Sequence, residues 1–528
     1  MPRRGQLFLI QAGLIAVTLA VVPFKLFELD RYFVPKELAL HIAAALMLLI
    51  GLGSLLRNRE RSVDLPDLLI AAFLGLSLLS AIFATNWWLA QRALSLSVSS
   101  AVIFWSARVI GAAGGYRAVL ASAAVAGVIG AVTCLLQVYG VQTDFFSLNR
   151  APGGTFGNRN FVAHYSAIAL PALVYCALTA HRAVSLNAAS LGVAILAGVM
   201  VLSRSRAAWL AIAVTVAAVL IPLAMSRRYW DGLPVMRRLV RLAVASGIGV
   251  ALAIFVPNRL NWNSDSPYLD SARAVVDYSS GSGRGRVAQY RNSMSMALAN
   301  PIVGVGPGNW PVEYVEFAPD NDKSLANDGM TANPWPSSDW VAFISERGIL
   351  AALALLGAFT LLFFGAMRRW AELGGLDEVL AKVALVGTIT ATMVVSSFDA
   401  ALLLAAPAFL SWSIIGAASG IGRRGRTMAP TRAFWLMGVA ATFVLVALGV
   451  ARSATQLIAI QTVGTGGQRA RWLAAAPYDP GSYRISQRVA DLEANRGRCT
   501  SARAAARRAQ SLFPHAAAPK RILRRCGT

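Results

Sequence analysis

Long apolar segments alternate with short polar ones along most of the chain. Thirteen of the apolar runs approach the ~20 residues that a helix needs to cross the hydrocarbon core of a bilayer. They lie at about 6–24, 36–56, 68–85, 91–112, 117–139, 160–181, 187–203, 206–225, 238–256, 340–366, 379–397, 400–419 and 433–452. The pattern predicts an all-α polytopic membrane protein with about 12–13 transmembrane helices.

One long polar stretch and a polar tail interrupt this pattern. We therefore divide the chain into N-terminal transmembrane helices (1–256), a long loop (257–338), C-terminal transmembrane helices (339–453) and a basic helical tail (454–528). Small and apolar residues recur in the tail in a way that resembles one or two degenerate tetratricopeptide-type helix pairs. The alternative is an Ala/Arg-rich amphipathic helix lying on the membrane surface.

Composition supports the interpretation as a membrane protein and predicts its orientation in the membrane. Only 14% of the residues are charged and the mean hydropathy is +0.56, whereas an ordinary soluble domain has about a quarter of its residues charged. Short cytoplasmic loops of membrane proteins carry an excess of Lys and Arg. Thirteen spans with a cytoplasmic N-terminus satisfy this rule, and they place the long loop and the tail together on the opposite side.

The net charge of +24 has two sources, the basic cytoplasmic loops and the tail. Between 468 and 528 the tail has 13 Lys/Arg and three acidic residues, a local balance of +10. Outside a membrane such a tail suits anionic lipid headgroups or an anionic glycan, and we expect no nucleic-acid partner. Cys499 and Cys526 both lie in the tail, where an oxidising compartment allows them to form a disulfide. No Cys/His spacing resembles a metal site, so we expect neither a metal nor a cofactor.

Arginines at helix boundaries are the first candidate chemistry. Arg159 lies in the turn GTFGNRN at 154–160, where Asn160 is positioned to cap the following helix, and a helix N-terminus favours anions. Arg204 and Arg206 lie in the tight turn SRSR at 203–206. Charges at such positions in a membrane protein are costly and are usually functional or paired. The alternative is that these side chains snorkel to lipid headgroups.

The long loop combines cations with glycines and then re-enters the membrane. Arg284, Arg286 and Arg291 flank the start of a predicted helix, and the glycine-rich NPIVGVGPGNW at 300–310 lets backbone approach a ligand closely. The re-entry segment at 339–348 reads DWVAFISERG, and either preceding serine can cap its helix.

In order and spacing, these four segments resemble the O-antigen ligase and polymerase superfamily of bacterial envelope glycosyltransferases. The resemblance covers about 150–350. It implies a protein of the bacterial inner membrane whose periplasmic face binds a glycan on undecaprenyl pyrophosphate without a metal, with the tail periplasmic. The candidate pyrophosphate-binding residues are Arg159, Arg204, Arg206, Arg284 and Arg291.

One position departs from the family. Its ligases usually carry a His at the start of the helix that follows the long loop, and Ser337 occupies that position here. The candidate catalytic carboxylates are therefore Asp339, Glu313 and Glu316. Asp399 and Glu346 are candidates for binding the acceptor or for a structural role.

The function implied is a metal-independent, inverting, ligase-like transfer of a glycan to an acceptor hydroxyl in surface polysaccharide biosynthesis. The acceptor would be a glycan, lipid A core or a protein. One alternative is a repeat-unit polymerase of the same superfamily. The other is a non-catalytic transporter or flippase for a polyprenyl-linked glycan, which predicts charged residues near the middle of membrane helices.

Overall fold

The computed structural model of the chain describes residues 2–57, 61–232, 234–262, 264–273, 281–319, 321–322, 324–325, 330–368, 374–423, 425–428, 432–464 and 466–527. The described N-terminal half contains the helices α1 (Pro2–Leu19), α2 (Asp30–Arg57), α3 (Leu65–Ile82), α4 (Trp87–Ile110), α5 (Tyr116–Val138), α6 (Arg159–Leu178), α7 (Ala183–Ser203), α8 (Arg206–Met225), α9 (Arg227–Trp230) and α10 (Val235–Phe255). The described C-terminal half contains α11 (Pro267–Arg273), α12 (Gly281–Ala299), α13 (Trp310–Phe317), α14 (Asp339–Arg347), α15 (Ile349–Arg368), α16 (Leu376–Phe398), α17 (Ala405–Gly420), α18 (Arg432–Val463), α19 (Arg469–Ala475), α20 (Tyr483–Ala494), α21 (Cys499–Leu512) and α22 (Ala517–Arg525). Two short strands, β1 (Arg61–Val63) and β2 (Arg426–Met428), pair antiparallel.

Ten stretches of the described chain are helices long and apolar enough to cross a membrane. One of them, Trp87–Val138, has 52 residues and contains both α4 and α5, joined at Gly111–Gly115. At about 1.5 Å per residue it is far too long for one pass, so the ten stretches contain eleven spanning helices. The 18-residue α1 and the 16-residue α17 pack in the same bundle. The prediction of an all-α polytopic membrane protein is confirmed.

Helix α17 forms the centre of the bundle. All its residues are buried, because it packs against α4, α5, α6 and α16. Small residues allow this close packing. A Cβ added at Gly416 would lie 2.4 Å from the carbonyl oxygen of Phe104 on α4. The hydroxyls of Thr392 on α16 and Ser411 on α17 satisfy each other across the interface at 3.1 Å.

The predicted run at 340–366 is wrong as a single helix. It is divided into α14 and α15 at Gly348, whose φ of +84° lies in the region that favours glycine. A Cβ at Gly348 would lie 2.0 Å from the carbonyl oxygen of Ile302, so the break is held by the loop before α14. Apolar composition continues across the break, which is why hydropathy alone did not reveal it.

The long loop and the tail meet at the start of α4. The backbone N–H of Asn86 donates to Asn309 Oδ1 of the loop at 2.7 Å, and Asn309 Nδ2 donates back to the Asn86 carbonyl at 3.1 Å. Asn86 Nδ2 donates to the carbonyl of Leu512 in the tail at 3.1 Å. All of these groups are buried. Because the loop and the tail both bond to Asn86, they lie at the same end of the bundle.

The tail is a set of four short helices packed against the bundle, not a single helix on a membrane surface. Helix α20 packs on α21 and α21 on α22, and Cys499 and Cys526 form a disulfide with a Cα–Cα distance of 5.1 Å. A buried ion pair between Arg452 of α18 and Asp479, at 2.6 Å, attaches the tail to the last membrane helix.

Candidate functional site

Glu346 of α14 holds the glycine-rich turn of the long loop. Its Oε2 accepts from the N–H of Gly308 at 2.8 Å and its Oε1 from the N–H of Trp310 at 3.2 Å. Its carbonyl oxygen accepts from Gly306 N–H at 2.8 Å and from Ser80 Oγ at 2.8 Å. Burial raises the pKa of the Glu346 carboxyl to about 7. Glu346 is therefore bound to the protein's own backbone.

The glycines of this turn serve packing within the protein. Gly306 has φ +98°, and a Cβ there would lie 2.4 Å from the Cβ of Ala84, at the end of α3. The close approaches that these glycines make in the structure are to the turn after α3, to α4 and to α14.

Arg347, next to Glu346, is fully buried inside the bundle. Its Nη1 donates to Ser97 Oγ at 2.9 Å and to Ser77 Oγ at 3.2 Å. Its guanidinium lies 5.0 Å from the ring centroids of both Phe73 and Phe343, a geometry that stabilises a cation by the ring quadrupoles. Arg347 joins α14 to α3 and α4.

The turn before α6 presents a polar edge. Asn158, not Asn160, caps the helix, because its side chain accepts from the N–H of Asn160 at 3.0 Å. The side chain of Asn160 is thereby released for another contact, and its Nδ2 donates to Asp399 Oδ2 at 3.3 Å. Asp399 is the residue that ends α16. This bond attaches a half-buried carboxylate to the first turn of α6, the helix that begins at Arg159.

The SRSR turn between α7 and α8 is tight and strained. Arg204 has φ +53°, a left-handed conformation that is uncommon for a residue with a side chain and that clusters at functional sites. Its Nε donates to Ser271 Oγ of α11 at 2.7 Å. Ser205 Oγ lies 3.4 Å from Nε2 of His164, which is buried on α6. Arg206 is the first residue of α8.

Trp262 brings two of the predicted arginines together. The guanidinium carbon of Arg204 lies 4.7 Å from the centroid of its ring, and that of Arg159 lies 5.1 Å from it. In the described part of the chain neither arginine has a carboxylate within the 4.0 Å of an ion pair. Two cations on one aromatic ring repel each other, and a bound anion would remove that repulsion.

Helix α12 connects the long loop to the ends of α14 and α16. Gln289 Oε1 accepts from the N–H of Ser337 at 2.7 Å. The Tyr290 hydroxyl lies 2.5 Å from the carbonyl oxygen of Ser337 and 3.1 Å from that of Ser397. Helix α12 thus binds the backbone at the family's histidine position and also the backbone of Ser397, two residues before Asp399.

The arginines of α12 divide between two faces. Arg286 lies one helical turn before Tyr290 and therefore shares its face, where it is half-buried. Arg284 and Arg291 are seven residues apart on an exposed face. Arg286 also lies within electrostatic range of the His164 ring.

Asp339 anchors the turn that carries Asp399. Ser338 caps α14, and Asp339 in its first turn is fully buried. Its Oδ2 accepts from the N–H groups of Ala401 and Leu402 at 2.9 and 2.6 Å. Burial raises the pKa of the Asp339 carboxyl to about 7.

Glu313 and Glu316 lie on α13 beside the tail. His515 Nε2 is 3.3 Å from Glu316 Oε1 and 3.9 Å from Glu313 Oε2. One ligand atom from each of the three residues lies within 4.8 Å of the others, a spacing that a metal ion can bridge. Linear spacing of Cys and His could not indicate this group, because His515 lies about 200 residues after the two glutamates. Their ion-pair contacts are with the tail.

We call the surroundings of Arg159 and Arg204 on the ring of Trp262 the arginine site. Three residues of this site were missed or left aside in the sequence: Trp262, His164 and Arg286. A signal existed for His164, since an ionisable residue one turn after Asn160 in an apolar helix is unusual. In the sequence, Arg286 differed from Arg284 and Arg291 only because it lies one helical turn before Tyr290. Trp262 carried no signal, because its role depends on contacts with two distant turns.

Residues 191–356 match the family model described as O-Antigen ligase (Wzy_C). The match supports membership of the O-antigen ligase superfamily. The matched O-antigen ligase segment runs from α7 into α15 and includes Arg204, the long loop and α14, whereas Arg159 and Asp399 lie outside it. No curated protein matches the chain. The resemblance seen in the sequence is confirmed, and the matched domain supports a ligase- or polymerase-type function in polysaccharide biosynthesis for this multi-pass membrane protein.

Proposed function

We propose that the chain is an inverting glycosyltransferase that moves a glycan from undecaprenyl pyrophosphate to an acceptor hydroxyl. The observation that carries the proposal is the pair Arg159 and Arg204 on the ring of Trp262. Guanidinium groups bind phosphate oxygens through paired N–H donors. A pyrophosphate, with several negative charges on two adjacent groups, fits two neighbouring cations better than a single carboxylate does.

The chemistry follows from that placement. The acceptor oxygen attacks the anomeric carbon of the lipid-linked sugar, and the bond from that carbon to the pyrophosphate oxygen breaks with its electron pair. The acceptor proton passes to a base. Negative charge grows on the leaving pyrophosphate, and fixed cations aimed at that charge stabilise the transition state. Arg206 and Arg286, on adjoining elements, extend the cationic surface.

We assign the role of base to Asp399. Among the carboxylates considered, it is the one attached to the residue next to Arg159, through its bond to Asn160. Asp339 acts on it indirectly, by holding the backbone of Ala401 and Leu402. A base contributes about 10²–10⁴-fold to such a reaction, which leaves most of the acceleration to positioning and electrostatics.

Two arginines supply the positive charge that a divalent cation provides in many phosphate sites, so the proposed transfer is metal-independent. A repeat-unit polymerase is the second candidate. Ser337 favours the polymerase, because this serine replaces the histidine usual in ligases. Helix α12 binds the backbone of Ser337. The acceptor classes are a glycan, lipid A core or a protein.

Two of the membrane charges, Arg108 and Asp399, give the transporter alternative no support. Arg108 is in the last turn of α4 and pairs with Asp64 and Asp67 at 2.6 Å each. Asp399 ends α16. Neither charge is near the middle of a helix, where a path for a charged headgroup would need it.

We infer that the N-terminus is cytoplasmic and that the loop and tail face the periplasm across the inner membrane. The shared contacts of loop and tail at Asn86 support one side for both. Donor, acceptor and membrane lipid then meet at the ends of α6, α8 and α16.

The test is a release assay with the full-length protein in liposomes. It receives undecaprenyl-pyrophosphate-linked glycan and an acceptor, and free undecaprenyl pyrophosphate is measured. Arg159→Ala and Arg204→Lys should each lower the turnover rate about 10²-fold, the effect of losing one well-placed donor to a developing anion. The lysine retains the charge but loses the planar fork of donors.

Arg507→Ala is the matched control, because Arg507 is an exposed arginine of the tail. It should release undecaprenyl pyrophosphate at the wild-type rate. Wild-type release by folded Arg159→Ala would remove the pyrophosphate assignment. No release by the wild-type protein with any of the three acceptor classes would remove the glycosyltransferase proposal.

A further inference from the structure

The last helix of the tail carries a row of cations on its outer side. Lys520, Arg521, Arg524 and Arg525 of α22 are all exposed. Their spacing of i, i+1, i+4 and i+5 places them on one side of the helix within two turns. We call these four residues the α22 strip.

The opposite side of α22 builds the core of the tail. Ile522 is buried together with Ala490 and Ala494 of α20 and with Ala502 and Ala506 of α21. Helix α22 accordingly packs on α20 and α21. The strip therefore points away from the tail's own core.

Two contacts fix the end of the strip. Cys526, the residue after Arg525, forms the disulfide with Cys499 at the start of α21. Nη1 of Arg525 donates to Asn495 Oδ1, at the end of α20, at 3.0 Å. Groups that are held in place before binding lose less conformational entropy when a partner arrives. The strip is thus an ordered cationic surface.

The acidic side chains of the tail are turned inward. Asp479 and Glu493 are buried in ion pairs. Asp491 is half-buried and lies within electrostatic range of Arg521. Between 466 and 527, which the structure describes throughout, no acidic side chain is exposed. A polyanion that approaches α22 therefore meets no exposed carboxylate side chain of the tail.

The tail lacks the apolar side that a membrane-surface helix needs. Such helices combine cations with apolar residues that enter the headgroup region. Between 479 and 527 the described chain exposes no large hydrophobic side chain, and the apolar side of α22 is already used for packing. The strip therefore fits a polyanion in solution better than it fits a lipid surface.

The position of the tail indicates what kind of polyanion it meets. The tail and the long loop both bond to Asn86. Leu512 and Phe513 of the tail lie in one buried apolar cluster with Val312 of α13. The matched domain supports a function in polysaccharide biosynthesis. A glycan chain handled at this end of the bundle thus has the tail beside it.

We propose that the α22 strip binds an acidic glycan, whose sugars carry carboxylate or phosphate groups. The proposal rests on the proposed function for the partner being a glycan, and it adds that this glycan is negatively charged. Arginine side chains bind carboxylate and phosphate oxygens through paired N–H donors, and Lys520 adds a compact positive charge. The strip holds the chain at the end of the bundle where the long loop lies.

The experiment measures binding without turnover, with the full-length protein in phosphatidylcholine nanodiscs. The probe is a fluorescent oligogalacturonate, and its neutral counterpart is the same oligomer with every carboxylate methyl-esterified. In fluorescence anisotropy at low salt the acid should bind at least about tenfold more tightly than the ester. Lys520→Gln/Arg524→Gln should weaken binding of the acid about tenfold. The affinity of this variant should also depend less steeply on salt, because fewer counter-ions are released.

Arg227→Gln/Arg228→Gln is the matched control. Both are exposed arginines of α9, which follows α8 at the end opposite Arg206. The affinity of the control for the acid should match the wild type. Arg521→Gln/Arg525→Gln is a second strip variant and should lose about as much as the first. Equal binding of acid and ester, or an equal loss in strip and control variants, would overturn the proposal.

Two further outcomes separate this proposal from its alternatives. If the strip variants lose bound phosphatidylglycerol in native mass spectrometry while their affinity for oligogalacturonate is unchanged, the strip is a lipid site and the proposal is wrong. If the wild-type protein binds the acid but releases no undecaprenyl pyrophosphate in the release assay, the transferase function fails and the binding of an acidic glycan by the strip stands.

Discussion

Glu346 should control whether the glycine-rich turn of the long loop stays closed. Glu346→Ala removes the acceptor of two backbone N–H groups, those of Gly308 and Trp310. Hydrogen bonds to a charged group contribute about 1.5–3 kcal/mol each, so at a pH above the Glu346 pKa of about 7, where the carboxylate is ionised, the pair contributes about 3–6 kcal/mol to holding this turn. Glu346→Gln retains one acceptor oxygen and should lose about half of that.

The measurement is native-state proteolysis of the loop. When the loop opens and closes faster than it is cut, the cleavage rate follows the population of the open form. A loss of about 3 kcal/mol corresponds to cleavage more than 100-fold faster, since about 1.4 kcal/mol is one factor of ten. The cuts should fall within 257–338 while the membrane helices remain intact.

Glu316→Gln is the chemically matched control. The Glu316 side chain is 51% exposed, and such surface changes are usually within about 0.5 kcal/mol. Its cleavage rate should stay within about threefold of wild type. Glu346→Ala cleaved at the wild-type rate would refute the view that this carboxylate closes the turn.

Three further outcomes are expected. Arg286→Ala should lower the release rate more than Arg291→Ala, because Arg286 shares the face of α12 that approaches Asp399; equal losses in the release assay would contradict this. Burial raises the pKa of Asp339 from 3.8 to about 7, so the folded protein binds that proton more tightly and the free energy of unfolding should fall as pH rises from about 4 to about 7. Melting temperatures across this range should depend less on pH in Asp339→Asn, and an unchanged slope would contradict the assignment. The pairing of Cys499 with Cys526 predicts that Cys499→Ser exposes one thiol to maleimide labelling in the unfolded protein, whereas the wild-type tail exposes none.

The membrane architecture was predictable because its signal is local. A span needs about 20 apolar residues in succession, and composition along the chain records that requirement directly. The division between α14 and α15 escaped prediction because Gly348 interrupts a helix without interrupting the apolar run. Its left-handed φ is required by the contact with Ile302, and such a contact between distant segments leaves no trace in hydropathy.

The candidate site was predictable only in part, for a related reason. Arg159 and Arg204 stand out because a charge next to an apolar helix is unusual and costly. What joins them is Trp262, which comes from a different loop and becomes informative only after α6, α7 and α8 are packed. Glu346 and Asp339 were noticed as carboxylates, but their partners are backbone amides of other segments, and every residue type has those.

The stacking of two arginines on Trp262 affects how easily the site exchanges its ligand. A carboxylate would fix the position of a guanidinium equally well, but an incoming anion would have to displace that carboxylate. An indole ring orients the cations through its face, and within the described residues no carboxylate forms an ion pair with their N–H edges. Under the proposed function, the free site is thus ordered before the donor arrives, and water and salt would replace the departing undecaprenyl pyrophosphate. We expect its retention to weaken with rising ionic strength, which would link turnover to the ionic composition of the periplasm.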